Sequence, residues 1–555
     1  MAFDGAGQDK QMLRTLRQDL AAAIALAAVA IPSQMATAHL AGFPPSAGLA
    51  AFVAGSAGFA LFGTNRLLVV CADSTIAPIF AAELAGLSQA AGTGYFELAS
   101  SFALITGTIL ICIGVFRLGW LADIVSIPVI AGFLAGIAAH IIVSQLPYLL
   151  GIALPDHGLL QSLLWIGGHF KETNPASLAL GLGVLAAIAF LELVSPRIPG
   201  ALAGIIAAAG AAYWFSLERI GVALLGASAG GALQLRLPLE PAARIVSAIP
   251  LAIAVAAVIV VQTAATLRTF NPREGAPPSL GRDFAAVGAG NLLAGVLGAF
   301  AVNASPPLTE TVTASGGRSK FTLVAAALLL LALSYFGAKL MAFVPLPAIA
   351  AVLVFIAIRI LRLQTIAAIF RSSFGEFLLV IATFAAIVAL PVGAGVGTGI
   401  VLSLLHGIWS MTRARLITFE KVPGTSIWWP PGPGLRGETL EGVLVVAFQA
   451  PLTFLNAYEF QAGVRRAITQ SSVPPLRLIV IEASSIAEID YTAAQVLLQA
   501  VRECAQHNID IAIARLESLR AQEAFERFGI IGAVPRDHVF RSVDEAIKAL
   551  AKKDE

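Results

Sequence analysis

FAVNASPPLTETVTASGG (Phe300–Gly317) begins as a short apolar run, passes through small polar residues and resumes as a half-length helix. RLLVVCADSTIAPIFAA (Arg66–Ala82) has the same design early in the chain. In the later stretch Ser305 is the expected N-cap, and Pro306 and Pro307 fit the first helical positions, where a missing N–H costs little. In the earlier one Asp73 and Ser74 are placed to cap a helix that Thr75 to Ala82 continue. Both lie in strongly apolar sequence, where irregular backbone survives only if it is buried or lines a cavity. Two interrupted segments at matching places of two halves point to a binding site between them.

The surroundings are apolar throughout. Of 555 residues, 58% are hydrophobic and 12% charged, with a mean hydropathy of +0.85. Soluble proteins average about 25% charged residues, so the composition excludes a soluble globular protein and implies a polytopic α-helical membrane protein. The net charge of +2 favours neither an acidic nor a basic partner, and nothing implies nucleic acid. Cys71, Cys112 and Cys504 have no metal or disulfide spacing and read as small buried hydrophobes. No metal or cofactor is expected. Lys10, Arg14 and Arg17 precede an apolar run from Leu20 that continues as a full span with no cleavage site, giving a cytoplasmic segment 1–19.

At about 20 residues per span, the chain holds roughly fourteen apolar segments. They fall near 20–40, 46–62, 67–82, 96–117, 126–149, 177–194 and 199–215, then 246–267, 284–301, 305–315, 321–341, 343–360, 374–391 and 395–412. The short segment is third in each half. A repeat with an odd number of spans must insert upside down relative to its copy, so 20–215 and 246–412 read as inverted repeats joined by an outer connector, 216–245. Loop charge agrees with an inside N-terminus. Arg66, Arg117, Arg197, Arg268, Arg273, Arg282, Arg318, Lys320, Arg359, Arg362 and Arg371 fall inside, against Lys171, Arg219, Arg236 and Arg244 outside.

Residues 413–441 form a linker containing the Pro/Gly-rich VPGTSIWWPPGPGLRG (Val422–Gly437). From 442 to 555 the pattern is a small α/β domain. It has expected strands at Val443–Phe448, Leu478–Glu482 and Ile509–Ala514 and helices at Ala457–Thr469, Tyr491–Gln506 and Leu516–Phe528. A last helix starts at Ser542, with Glu545 completing a capping box.

These motifs resemble the SulP sulfate-permease family of anion transporters. Asp19 and AIPSQMATAHLAGFPPSAG (Ala30–Gly48) are similar to its first-helix signature, and Asn291–Ser319 to its ninth-to-tenth-helix region. PLTFLNAYEF (Pro451–Phe460) and ASSIAEIDYTAAQVL (Ala483–Leu497) resemble the motifs of its C-terminal STAS domain, with Asp490 at the usual aspartate. The resemblance implies fourteen helices arranged as core and gate domains, and a homodimer. This chain departs from the pattern at three places. Leu308 stands where the family often has arginine, Gln262 where bicarbonate-type members carry an acid near a sodium site, and Tyr491 where a Ser or Thr often follows the aspartate. These departures weaken strong inorganic-anion binding, sodium coupling and phospho-regulation respectively.

The expected chemistry follows from the breaks. Facing half-helix N-termini supply unsatisfied N–H groups and about half a positive charge each, which favours an anion without a fixed cation. Ser74, Thr75, Ala304 and Ser305 are therefore substrate-binding candidates, with Asp73. Gln262, Thr263 and Thr266 form a polar stripe on the eighth span, as Gln34 and Thr37 do on the first; polar helix–helix packing is the alternative for both stripes. Ionisable groups within spans are costly and functional by default. Glu310, and after it Asp73, are the proton-coupling candidates, the alternative being a permanently ionised helix cap and a locally paired glutamate. Asp490 is the regulatory candidate, or else a helix cap. The leading reading is a proton-coupled secondary transporter of sulfate, bicarbonate or a dicarboxylate in the inner membrane, with Na+ disfavoured and a cytoplasmic protein as a possible STAS partner. Its rivals are a nucleobase-type proton symporter and a non-transporting scaffold or sensor. No Walker loop or catalytic constellation suggests an enzyme.

Overall fold

The computed structural model describes residues 5–91, 94–123, 125–153, 159–194, 199–226, 242–270, 279–336, 341–390, 392–432, 437–470, 476–534 and 536–551. Arg197, Arg236 and Arg273, residues 227–241 of the 216–245 connector, and residues 433–436 of the linker lie outside the described residues. The chain divides into two compact units, Met1–Ser403 and Leu404–Glu555.

The first unit is helical. In order it comprises α1 (Gly5–Leu40), α2 (Pro45–Phe62), strand β1 (Val70–Cys71), α3 (Ala77–Ala91), α4 (Tyr95–Val115), α5 (Ile127–Leu150), α6 (Leu159–His169), α7 (Pro175–Val194) and α8 (Gly200–Trp214). It continues through α9 (Ala242–Thr269), α10 (Leu280–Val296), strand β2 (Asn303–Ala304), α11 (Pro306–Ala314), α12 (Phe321–Phe336), α13 (Leu346–Ile360), α14 (Leu363–Ser372), α15 (Phe374–Ala389) and the start of α16 (Val392–Thr412). Among the described residues seven helices are long and apolar enough to cross a membrane, and Ala77–Ser88, Gly200–Trp214, Phe321–Phe336 and Phe374–Ala389 are shorter apolar helices.

Helix ends follow local chemistry. Prolines open α2, α5, α11 and α13 at their first or second positions. Gly151 closes α5 in the left-handed region at φ +67, its N–H donating to Pro147 O. The helices form two packed groups. One gathers α1–α4 with α9–α12 and the other α5, α7 and α8 with α13–α15. Within the first, α10 approaches α2 and α4 closely because glycines meet: a Cβ on Gly58 would stand 2.5 Å from Gly290 N, and one on Gly107 would stand 2.7 Å from Gly288 O. Such contact lets dispersion and backbone proximity hold helices where lipid supplies no hydrophobic drive.

Several expectations are revised. The half-helix expected to begin at Thr75 and end at Ala82 begins at Ala77 and runs to Ala91, because residues 74–76 form a turn around the Asp73 side chain. The span expected to reach residue 301 ends as α10 at Val296, and the backbone then extends to β2. Helices α6 and α14 were not expected; at 11 and 10 residues, they are too short to register as spans. Cys112 is exposed rather than buried.

The second unit is a six-stranded sheet covered by helices. Its elements are β3 (Leu416–Lys421), β4 (Trp428–Trp429), β5 (Val443–Phe448), α17 (Ala457–Gln470), β6 (Leu478–Glu482), α18 (Tyr491–Gln506), β7 (Asp510–Ala514), α19 (Leu519–Arg527), α20 (Ile530–Ala533), β8 (Val539–Phe540) and α21 (Val543–Leu550). The strand order is β4-β3-β5-β6-β7-β8, parallel from β5 to β8. The expected linker 413–441 is corrected here, since Leu416–Lys421 pairs antiparallel with β5. Alternating side chains of β5 serve two faces. Val446 and Phe448 pack with α17 and α18, while Val443 and Val445 pack with Trp428 and α21. Ser542 accepts the Glu545 N–H at 3.1 Å and caps α21.

Candidate functional site

Strands β1 and β2 cross as an antiparallel pair, Val70 opposite Ala304 and Cys71 opposite Asn303, with Ser305 N–H donating to Val69 O at 2.9 Å. From this crossing the chain leaves toward α3 at one break and enters α11 at the other. Two amide side chains satisfy the buried backbone that flanks the strands, whose polar groups need partners at membrane depth. Gln34 bonds both the N–H and the C=O of Ala72 at 3.0 Å. Asn291 bonds both groups of Val302, at 3.0 and 2.9 Å.

At the first break Asp73 accepts the Thr75 N–H at 2.9 Å and also contacts the Thr75 hydroxyl. Gln262 of α9 reaches across, with Nε2 3.3 Å from Asp73 Oδ2 and 3.2 Å from Ala304 O, and Oε1 2.8 Å from Thr75 Oγ1. One side chain thus touches both breaks. At the second break Ser305 occupies the N-cap position, but its side chain makes no capping bond. Pro306 and Pro307 carry no N–H to donate one, and Thr309 Oγ1 donates back to Ser305 O at 2.7 Å.

A cavity of about 970 Å³ lies against these groups. Ser33, Asp73, Ser74, Thr75, Gln262 and Ser305 line its floor. Its walls continue past Thr266, Leu308 and Glu310 to Arg268, Arg359, Arg362 and Thr365, at the ends of α9 and α13. The cavity separates the two helix groups, because Val129 and Phe133 of α5, Val352 and Phe355 of α13, and Thr383 of α15 form its other wall. Elsewhere between the groups, the ends of α1 and α5 meet, with His39 edge-on to Tyr148 at a centroid distance of 4.9 Å. Arg359 is already paired with Glu192 at 2.7 Å.

The sequence candidates divide accordingly. Asp73, Ser74, Thr75, Gln262, Thr266, Ser305 and Glu310 line one cavity. Gln34, Thr37, Thr263 and Ala304 do not border it. Gln34 is committed to Ala72, and Thr37 and Thr263 are buried with hydroxyls that lack a partner among the described residues. Ala304 contributes its carbonyl to Gln262 rather than a free surface. Glu310, expected as a costly buried acid, is exposed toward the cavity without a hydrogen bond or ion pair among the described residues. Asp490 caps α18 by accepting the Ala493 N–H at 2.8 Å and also holds the Phe454 N–H at 2.6 Å. Sequence reasoning passed over Ser33 and Asn291. The first lies beside Gln34 in the same signature, and the second is a polar residue in the middle of an apolar helix, itself a signal.

Comparison with known proteins gives this arrangement a context. A model described as the sulfate permease family matches residues 16–383, and one described as the STAS domain matches residues 436–546. A probable sulfate transporter of Mycobacterium tuberculosis is 31% identical over 548 residues, covering 97% of this chain and 96% of that protein. Murine solute carrier 26 family member A9, an anion transporter solved in an inward-facing state, superposes with a TM-score of 0.87 at 19% identity, covering 96% of this chain and 91% of its own. The transmembrane domain of a cyanobacterium bicarbonate transporter, BicA, gives a TM-score of 0.62 at 21% identity over 70% of this chain and 98% of that one. These relatives are transporters rather than enzymes, and the chain, a polytopic helical membrane protein with a C-terminal STAS domain, belongs to the sulfate permease family of anion transporters.

Proposed function

We propose that the protein is a secondary active transporter of a small anion of the sulfate, bicarbonate or dicarboxylate class. The anion is held between the breaks that lead into residues 74–82 and 305–315, carried by alternating access and coupled to H+, with Glu310 or Asp73 as the proton carrier. One observation carries the reading: the turn that leads into α3, with Ser74 and Thr75, and the start of α11, with Ser305, border one cavity at the seam between two helix groups. Helix N-termini attract anions through free N–H groups and the macrodipole. A site without a fixed cation binds without trapping, and Leu308, at the position where the resemblance implies an arginine in many members, borders the cavity.

The two-group packing supports alternating access, since one group can move against the other while the breaks stay within the first. The matched breaks and the antiparallel β1–β2 crossing support inverted repeats. The same reading makes the protein a homodimer of the inner membrane with its N-terminus and STAS domain in the cytoplasm, the domain offering a surface to a protein partner.

The test is uptake into proteoliposomes of labelled sulfate, bicarbonate, fumarate and uracil, with an inward H+ gradient, a Na+ gradient or neither. Anion uptake driven by H+ is expected. Uptake of uracil alone would assign a nucleobase-type symporter, and a folded protein that moves none of the four would favour a scaffold.

A further inference from the structure

The hydrogens at the cavity floor can be counted. Thr75 Oγ1 contacts both Asp73 Oδ1 and Gln262 Oε1, the latter at 2.8 Å, and a hydroxyl has one hydrogen to give. Gln262 Nε2 directs its two hydrogens to Asp73 Oδ2 and Ala304 O. If Asp73 is ionised, the Thr75 hydrogen serves one acceptor and leaves the other facing an oxygen lone pair. Turning the amide over does not help. Nε2 then serves Thr75, but Oε1 faces Asp73 Oδ2 and Ala304 O without a hydrogen between them. A proton on Asp73 Oδ1, which keeps a lone pair for the Thr75 N–H at 2.9 Å, closes the ring: Asp73 donates to Thr75, Thr75 to Gln262, and Gln262 back to Asp73 and to Ala304.

We infer that Asp73 holds a proton in this conformation and that the Asp73–Thr75–Gln262 ring links H+ binding to anion binding. The inference rests on the proposed transport function and selects Asp73 over Glu310 as the carrier. Ser74 and Ser305 border the same floor, so an anion there lies beside Asp73. An ionised carboxylate repels it, and a neutral one does not. The proton therefore arrives with the anion and leaves with it. The acid sits before α3, and α9 presents a neutral amide across from it. The surroundings support this. Of the neighbouring elements, α1 presents Ser33 to the cavity and Gln34 to Ala72, while Ser126 before α5 and Thr383 of α15 line the cavity, none of them titratable in the physiological range. Cys71 lies buried on β1, while Glu310 of α11, Arg268 of α9, Arg359 of α13 and Arg362 line the cavity farther out. Glu310, exposed there, is not part of the ring.

Two measurements on the full-length protein test the inference. Infrared spectra at neutral pH are expected to show a protonated carboxylic acid carbonyl stretch that is absent in Asp73→Asn, retained in Glu310→Gln and shifted in Thr75→Ala. Calorimetric binding of sulfate and of fumarate, neither of which titrates near neutral pH, is expected to weaken about tenfold per pH unit on the alkaline side, the slope for one linked proton. Asp73→Asn removes that slope and Glu310→Gln keeps it. A wild-type spectrum without the band, a band that Thr75→Ala leaves in place, or a slope that survives Asp73→Asn overturns the inference. If neither anion binds, the transport reading fails, while the infrared band still decides the protonation of Asp73.

Discussion

Gln34 holds Ala72 by both backbone groups, its Oε1 accepting the N–H and its Nε2 donating to the C=O, each at 3.0 Å. Asn291 treats Val302 in the same way. An extended strand inside an apolar bundle has no helix of its own to satisfy its backbone, and these two amides, with the β1–β2 pairing, replace one. Gln34→Leu and Asn291→Leu each strand two buried polar groups, at about 1–3 kcal/mol per group. Both variants should melt well below the parent in detergent. Unchanged melting with weakened anion binding would instead make Gln34 a ligand.

Leu308 is 2% exposed and borders the cavity on α11. In Leu308→Arg a fixed cation joins two helix N-termini. A gain of about 1.4 kcal/mol would lower KM for a divalent anion about tenfold, and the maximal rate should fall because release from the deeper well is slower. Uptake kinetics check this. An unchanged KM with unchanged rate would show that substrate does not pass residue 308.

Asp490 joins the start of α18 to the Phe454 loop through two backbone N–H groups. Asp490→Ala should destabilise this corner by about 0.5–2 kcal/mol, the range for a lost N-cap. Hydrogen exchange on the intact chain would read it as faster exchange confined to the first turn of α18 and residues 453–456. Protection equal to wild type would leave Asp490 free for a regulatory role.

Glu503 on α18 accepts from Arg465 Nε at 2.8 Å and Nη2 at 2.6 Å. The hydrogen bond to Arg465 holds its carboxyl below the ordinary glutamate range. Because the folded value is depressed, the stability this pair contributes is complete above the unfolded value and is lost as pH falls through the folded one. Glu503→Gln should therefore lower melting slightly at neutral pH and flatten its decline in acid. Parallel acid profiles for the two proteins would show that the exposed pair contributes nothing measurable.

The sequence by itself determined the class, the order of spans and the two breaks. Apolar runs of membrane length and the scarcity of charge leave a chain no alternative to a bundle, and small polar residues with prolines interrupt it where no helix can run on. The Asp73–Thr75 and Ala304–Ser305 stretches were legible for that reason. So were most of the strands and helices after residue 442, where apolar residues alternate or recur at helical spacing.

Tertiary structure alone decided which polar side chain meets which neighbour. Gln262 and Thr263 are adjacent in sequence, yet one spans both breaks and the other is buried with its hydroxyl unpaired among the described residues. Periodicity assigns residues to a helix face but does not say whether that face meets a cavity, a strand backbone or another helix. Strand β3 was missed for a related reason: LITFEK is half-buried and gains its identity only from pairing with β5 across a stretch that reads as a linker. The ring of Asp73, Thr75 and Gln262 joins residues 187 positions apart in the chain. Its proton count depends on distances of a few ångströms, which the packing of α9 against the two breaks sets and no local pattern encodes.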